Sequence, residues 1–321
     1  KAVFGLIQAG FAHEIGRRGA ATSPRLRDAG TVEHRNLGVA FYRTGMLDEA
    51  EREFEKALAL RGDDVASRFY QALLAIRRGR FRDAATRFKE LVEKFGATAE
   101  TFGNLAYALL RLGRASDALL ALQQAESLRT NVPRLALLRG LCELERGDPQ
   151  AAARALTEYC TRLDRAPPGP VYYHFHALSA AIDGDLDEAK RRTEAGLDAH
   201  PDAAPLLALA AVIAERRGDL EEAERLGRRA MEEDPALPQA HKNLGDVAYR
   251  RGLHDDALVH YERTVELAPD LGDDVWTKLG NLRFKRKEPA AAVACWRRAL
   301  ELNPHNSVVR TNLDVASNAA G

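Results

Sequence analysis

Apolar residues in this chain recur at helical spacing, in short blocks broken by polar turns. The clearest block, NLGVAFYRTGMLDEAEREFEKAL from Asn36 to Leu58, predicts two short amphipathic helices joined at a tight turn on Gly45. One such hairpin cannot bury its own apolar stripe, so the pattern calls for neighbours of the same kind.

Those neighbours are legible as three columns of small residues that keep one phase. Turn residues Gly45, Gly79, Gly113 and Gly147 stand 34 apart; Gly184 follows after 37, then Gly218 and Gly252 at 34 each, and Lys287 holds the place 35 later. Five places downstream of each stands an alanine: Ala50, Ala84, Ala118, Ala152, Ala189, Ala223, Ala257 and Ala292. Seven places upstream stand Gly38, Ala72, Ala106, Gly140, Ala177, Ala211, Gly245 and Gly280. Small residues on facing helices let two backbones approach where anything larger would overpack. The turn glycine ends the first helix because it accepts a left-handed conformation. Leu37, Phe54, Phe88, Leu105, Leu122, Leu156, Leu244, Tyr261, Leu279 and Trp296 recur at helical spacing and are expected to fill the hairpins. Pro201, Pro235, Pro269 and Pro304 are expected where second helices stop.

These columns resemble the tetratricopeptide repeat family. The phrase from Asn36 to Leu58 carries its Leu-Gly, aromatic, Gly, Ala, Phe and Ala marks in order, and the resemblance covers residues 31–306. Repeats at 31–64, 238–271 and 273–306 match well. Those at 133–166 and 170–203 are weaker, with Arg139 and Glu143 where the family has apolar or aromatic residues. The resemblance implies an all-α fold, a right-handed superhelical solenoid of helix-turn-helix repeats whose first helices line a concave groove.

Four repeats are expected at 31–166 and four at 170–306, separated by a proline-rich joint at 167–169 within DRAPPGP. In the terminal segment 307–321, Ser307 to Ala319 reads as a capping helix with a polar outer face. Residues 1–30 read as an amphipathic helix, carried by Val3, Phe4, Ile7, Phe11 and Ile15, then a linker with a possible helix start at Ser23 and Pro24. That helix has three open roles: a cap, part of an upstream domain, or an occupant of the groove.

Composition narrows the function. Lys+Arg and Asp+Glu both total 47, so no net field draws nucleic acid or an anionic membrane. Basic pairs (Arg77-Arg78, Arg216-Arg217, Arg250-Arg251, Lys285-Arg286) fall at the ends of first helices. Acidic pairs (Asp48-Glu49, Asp187-Glu188, Glu221-Glu222, Asp255-Asp256) fall at the starts of second helices. Both read as complements of the helix dipole, not as a nucleic-acid stripe. No apolar stretch is long enough to span a bilayer. Cys142, Cys160 and Cys295 lack metal-ligand spacing and read as buried reduced thiols. His174 and His176 stand two apart on a helix, hence on different faces. No nucleotide-binding, nucleophile-elbow or HExxH motif appears, so no metal, cofactor or catalysis is expected. The chain begins at Lys1, which leaves a fragment or a removed signal peptide open; cytoplasm is the expected compartment and periplasm the alternative.

In the resembled family the groove is lined by the second, fifth, sixth, ninth and twelfth places of each first helix. Carried onto this chain, those places give a candidate partner-binding surface with polar ends: Arg35 and Asn36 at one, Lys242, Asn243, Asp246, Lys278 and Asn281 at the other. Between them stand Phe69, Leu73, Asn104, Tyr107, Leu137, Leu141, His174 and Leu178. The apolar members either pack inside or form an apolar groove for a partner's hydrophobic segment. Asn36, Asn104, Asn243 and Asn312 share one place, where an amide can grip a peptide backbone or bond locally between helices. Family members that hold acidic C-terminal tails use Lys, Asn and Arg at fixed places. Lys242 and Asn243 supply a fragment of that set, but Ala208 and Val212 stand where the preceding repeat would need charge and amide, so such a clamp is not expected.

The expected function is a non-catalytic scaffold or adaptor that binds a peptide or amphipathic helix of a partner protein. A regulatory docking arm of a longer multidomain protein is the alternative, and a nucleic-acid-binding helical repeat the third reading. The preference for Arg over Lys and the abundance of Ala suggest a bacterial chain. By analogy its setting would be a pilus, motility, secretion or envelope assembly.

Overall fold

Helical hairpins follow one another through the described part of the chain. The computed structural model describes residues 26–129, 131–163 and 166–319; the amphipathic segment at residues 2–15 and the possible helix start at Ser23 and Pro24 lie outside these. Among the described residues all regular structure is α-helical. The chain divides into two compact units between Pro168 and Gly169. The first holds α1 (Leu26–Thr44), α2 (Leu47–Leu60), α3 (Val65–Arg77), α4 (Phe81–Phe95), α5 (Ala99–Arg111), α6 (Ala115–Leu128), α7 (Pro133–Glu145) and α8 (Pro149–Arg162). The second holds α9 (Pro170–Asp183), α10 (Leu186–Ala199), α11 (Ala204–Arg217), α12 (Leu220–Glu233), α13 (Pro238–Arg250), α14 (His254–Leu267), α15 (Asp273–Lys285), α16 (Pro289–Leu302) and α17 (Ser307–Ala319). Odd-numbered helices up to α15 open a hairpin and even-numbered ones close it. The fold class is the all-α helix-turn-helix solenoid that the columns imply.

The small-residue columns close each hairpin. Every alanine of the downstream column is at most 1% exposed. In the upstream column, glycine stands where the second helix delivers a large side chain. A Cβ added to Gly38 would come within 2.6 Å of the Phe54 ring, one on Gly140 within 2.8 Å of Leu156, and one on Gly245 within 2.7 Å of Tyr261. At Gly280 it would run into the Trp296 indole. Phe54, Phe88, Leu122, Leu156 and Tyr261 are at most 1% exposed, and truncating such a side chain typically costs about 3–5 kcal/mol. Leu37 departs from its expected role: it is 43% exposed. In the interior the same place is filled, as where Leu244 of α13 lies against Gly227 of α12.

Local signals set the helix ends. Asp64, Thr98, Asp148, Asp185 and Asp219 each accept a hydrogen bond from a main-chain N–H three residues on, capping α3, α5, α8, α10 and α12. The linker expected up to residue 30 is helical from Leu26 onward; apolar periodicity is thin there, and the packed face begins at the fully buried Thr31. Cys142 and Cys295 are buried but Cys160 is only half-buried, and all three are unpaired. Burial pushes the Cys142 thiol up to about 12, which leaves it unreactive.

The charge pairs do more than complement their own helices. Arg78 reaches Asp48 and Glu51 on α2, Arg217 reaches Asp187 on α10, Arg251 reaches Glu221 and Glu224 on α12, and Arg286 reaches Asp255 on α14. The preceding residues cap the last turn of the first helix before them: Arg216 donates to the Ala181 carbonyl at 3.1 Å and Arg250 to the Glu215 carbonyl at 2.6 Å. Each exposed pair contributes little by itself, but the repetition stitches hairpin to hairpin. Arg139, out of family pattern, binds Glu126 at 3.0 Å and Glu158, tying α7 to α6 and α8.

Gly45, Gly79, Gly113, Gly147, Gly184, Gly218 and Gly252 take φ between +72° and +91°, and Lys287 takes +62°, the sole positive-φ residue other than glycine among the described ones. A Cβ in that region costs about 1–2 kcal/mol, partly offset by glycine's freer unfolded chain. Lys287→Gly is therefore expected to stabilise the second unit by about 0.5–1 kcal/mol. Trp276 and Trp296, the two tryptophans of the chain, both lie in that unit, so the urea midpoint followed by fluorescence checks it. An unchanged or lower midpoint would show the left-handed turn to be unstrained.

Candidate functional site

First helices of successive hairpins touch, α1 with α3, α3 with α5 and α5 with α7 in the first unit, α9 with α11 and α11 with α13 in the second. Each unit thus has one wall built of first helices. The two walls differ in what they leave accessible.

In the first unit the wall is closed by its own side chains. Leu73, Asn104, Tyr107, Leu137 and Leu141 are all buried, none more than 8% exposed. Phe69 is half-buried, its ring edge-on to Phe88 at 5.7 Å between centroids. Asn104 donates to the Glu100 carbonyl at 2.8 Å within its own helix, and the Tyr107 hydroxyl accepts from Arg111 at 3.2 Å. Arg35 donates to Asp64 at 2.9 Å, the buried carboxylate that caps α3. Asn36 alone of the expected set is exposed. Leu73, Leu137 and Leu141 of this middle stretch pack inside.

The second unit opens in the same way and then changes character. His174 is buried with Nδ1 3.2 Å from the Pro205 carbonyl of α11, and Leu178 packs on the apolar cluster around Ala177 and Leu209. Asn243 is buried and donates to the Ala208 carbonyl at 2.7 Å, so the shared asparagine place serves internal bonding here as at Asn104. Beyond it stands a half-buried ionic cluster. Lys242 binds Asp246 at 2.8 Å and Asp274 at 2.9 Å; Lys278 binds Asp246 and lies 3.9 Å from Asp274. Two ammonium groups and two carboxylates leave the cluster neutral. Burial alone would disfavour the charge on Lys242, but Asp246 and Asp274 outweigh it and raise its pKa above the usual lysine value. Asp246 mirrors this: burial pushes its pKa up, Lys242 and Lys278 pull harder, and the balance falls below the usual carboxylate value.

The cluster is held from behind, through the hairpin. The Tyr261 hydroxyl on α14 donates to Asp246 Oδ1 at 2.7 Å, and burial followed by the Asp246 charge drives its pKa up, so it remains a donor. One repeat on, Trp296 Nε1 on α16 donates to Asn281 Oδ1 at 3.1 Å, and Asn312 Nδ2 on α17 donates to the same oxygen at 2.9 Å. Both aromatic tips reach the wall beside a glycine, Gly245 and Gly280, whose missing side chain gives them room. Gly38 and Gly140 face the polar-free Phe54 and Leu156, so the arrangement belongs to these two repeats. Asp274, Tyr261 and Trp296 were missing from the expected site, and Asn312 was expected only as a member of the asparagine row. The available signal was a glycine beside a polar wall residue, sixteen residues before an aromatic with a hydrogen-bonding tip.

On the other side of the second unit a cleft of about 440 Å³ opens between α10 and α12. Its floor residues Ala210, Ile213 and Ala214 are buried and its rim mixes acids with bases. Among the described residues no group of three or more His, Cys, Asp or Glu is placed to hold a metal ion, and no helix is long and apolar enough to cross a membrane.

Stacked helical hairpins define a helical-repeat protein of the protein-interaction class. The chain belongs to the tetratricopeptide repeat family, whose patterns match residues 32–64, 69–133, 104–170, 176–238, 228–271 and 274–306. It is similar to BBSome complex member bbs-4 of Caenorhabditis elegans, 26% identical over 132 residues, 41% of this chain and 28% of that protein. Among solved structures it resembles the APC/C hetero-tetramer Cut9-Hcn1 with a TM-score of 0.64 at 15% identity, over 84% of this chain and 52% of that one. It also resembles the human IFIT1 dimer with PPP-AAAA, with a TM-score of 0.63 at 16% identity, over 91% of this chain and 74% of that one. The chain thus spans about a quarter of the curated relative and half of the Cut9-Hcn1 chain. At these identities the structural likeness shows the fold.

Burial holds His174 and His176 down at about 4, in His176 with help from the neighbouring Arg192 charge. An unfolded chain protonates both near 6.5, so below that pH the unfolded state binds more protons and the second unit loses stability until about pH 4. The expected outcome is a lower urea midpoint by tryptophan fluorescence at pH 5 than at pH 7, with a smaller drop in His174→Gln. Equal drops in the two proteins would assign the acid sensitivity elsewhere.

Proposed function

We propose that this chain is a non-catalytic protein-interaction scaffold, and that a segment of a partner protein lies along the first-helix wall of its second unit, at α13, α15 and α17. The observation that carries the reading is the support of Asp246 and Asn281 from behind by Tyr261 and Trp296. Side chains needed only for packing have no use for such positioning, whereas a recognition surface gains from groups fixed before the partner arrives. The wall of the first unit, filled by its own residues, serves the stacking. Leu141 and Asn243, though at expected groove places, are buried and hold the fold together.

Two of the proteins described above are named as parts of multi-subunit complexes, and a part within a larger assembly suits this chain as well. A docking arm of a longer protein would use the same wall. The Arg- and Ala-rich composition supports a bacterial assembly of the pilus, motility, secretion or envelope kind. The nucleic-acid reading needs free basic pairs, and the basic pairs here are engaged with acids and carbonyls of the preceding hairpin.

A photo-crosslinking residue placed in the full chain at position 278 or 308 is expected to capture a protein partner in native cells. The same residue at position 120, exposed on α6, serves as the control. Capture that is equal at all three positions, or confined to position 120, rejects the wall as the contact surface.

A further inference from the structure

The joint between α10 and α12 lacks the side chains with which other repeats close the same gap. Two places on a first helix, eight and four residues before the turn, face the gap between the flanking second helices. Leu105, Leu244 and Leu279 hold the first of these places in three repeats, and all are buried. In a fourth it is held by Arg139, which binds Glu126 on α6 and Glu158 on α8. At the second place Arg283 binds Glu262 on α14 and Glu288 just before α16. Of the eight first helices, α11 alone carries alanine at both, Ala210 and Ala214. Nine residues after the turn, where most hairpins carry an aromatic residue or leucine, α10 carries Thr193. The cleft of about 440 Å³ lies against these three small residues. At the next joint Leu244 reaches Gly227, and the corresponding cleft shrinks to about 310 Å³.

The lips of the cleft carry charge that does not meet across it. On α10 Lys190 lies 3.5 Å from Glu194, and on α12 Arg225 lies 2.6 Å from Glu222, so these pairs are settled within their own helices. Asp198 on the α10 lip is left without a hydrogen bond or ion pair among the described residues. Arg229 on the α12 lip donates to the Pro201 carbonyl at 3.2 Å and meets no acid among them. In the first unit, by contrast, Arg162 of α8 comes within 3.7 Å of Glu126 of α6, second helix to second helix. Here an acid on one lip and a base on the other flank an unfilled gap.

The walls decide what kind of segment fits. Lys190, Glu194 and Asp198 share one face of α10 at spacings of four, a length of about 12 Å, or about two helical turns. Both walls are helices with their main-chain groups bonded internally, so an extended segment finds nothing there for its own N–H and C=O groups. A helix brings those groups already satisfied, and its side chains seat between the ridges of its neighbours.

We propose that this cleft docks an amphipathic helix of a partner protein. A large apolar side chain of that helix enters over Ala210 and Ala214, taking the place that other repeats fill themselves, with a basic residue toward Asp198 and an acidic one toward Arg229. The surface is separate from the first-helix wall and gives the scaffold a second place to hold a partner.

The test uses a phage library of a small helical scaffold with one randomised helix face, selected on the full chain and counter-selected on Ala210→Leu, which restores the residue found at Leu105, Leu244 and Leu279. Surviving binders are expected to carry a large apolar residue with a base on one flank and an acid on the other. The best of them, made synthetically, should bind Ala210→Leu and Ala214→Arg about tenfold or more weaker than the native chain, at equal folded fraction by circular dichroism. Arg229→Glu should weaken it as well, and changing the acid of the binder to Lys should restore binding to that variant, the coupling of a direct contact. Lys278→Ala should change nothing, which separates the cleft from the wall. If no binder tells the native chain from either filled variant, the joint is merely underfilled and the proposal fails. Survivors whose flanks carry no opposite charges, or whose binding ignores Arg229→Glu, overturn the stated partner.

Discussion

Close approach of two helices over a small residue is the constraint from which the rest of this protein follows. Each hairpin buries a column alanine completely, and at Gly38, Gly140, Gly245 and Gly280 even a methyl group would strike the side chain opposite. Because the backbones meet so closely, a side chain from the second helix can cross the hairpin and reach its other face. With Phe54 or Leu156 in that role the crossing contributes only packing. With Tyr261 or Trp296 it also delivers a hydrogen-bond donor to the wall of first helices, so one device supplies both stability and a positioned surface.

The two units use the same device to different ends. In the first, the wall places are filled by Leu73, Tyr107, Leu137 and Leu141, and the unit is a stack whose apolar surface faces itself. In the second, polar residues take over from Lys242 onward, where burying an unpaired charge would be costly. Lys242, Asp246, Asp274 and Lys278 resolve that cost by pairing with one another, and Asn281 by accepting from Trp296 and Asn312. The resulting surface is hydrophilic yet fixed. Its charges are already balanced within the wall.

Stacking between hairpins is reinforced by charges that look like helix-end decoration in the one-dimensional chain. Arg217 and Asp187 stand 30 residues apart and meet only because consecutive hairpins have the same shape and phase. The same logic explains Arg139, which looks like a flaw in the repeat and in fact binds Glu126 and Glu158 on the flanking second helices. A departure from a repeat pattern is thus informative only once the neighbours in space are known.

By itself the sequence determined the repeat, its phase, the turns and the small-residue contacts, because these depend on short spacings within one hairpin, where helix geometry turns distance along the chain into distance in space. It also named most of the wall places, though not their accessibility: Asn104, Asn243 and Asn312 read as potential grips and make bonds within the chain, while Asp274 joins the wall only through Lys242, about 30 residues away. Which way a side chain is satisfied is a competition among neighbours brought in by the adjacent hairpin and by the helix behind. Only the tertiary structure decided that competition, since burial and hydrogen-bond supply at one wall position are set by atoms from three separate stretches of chain.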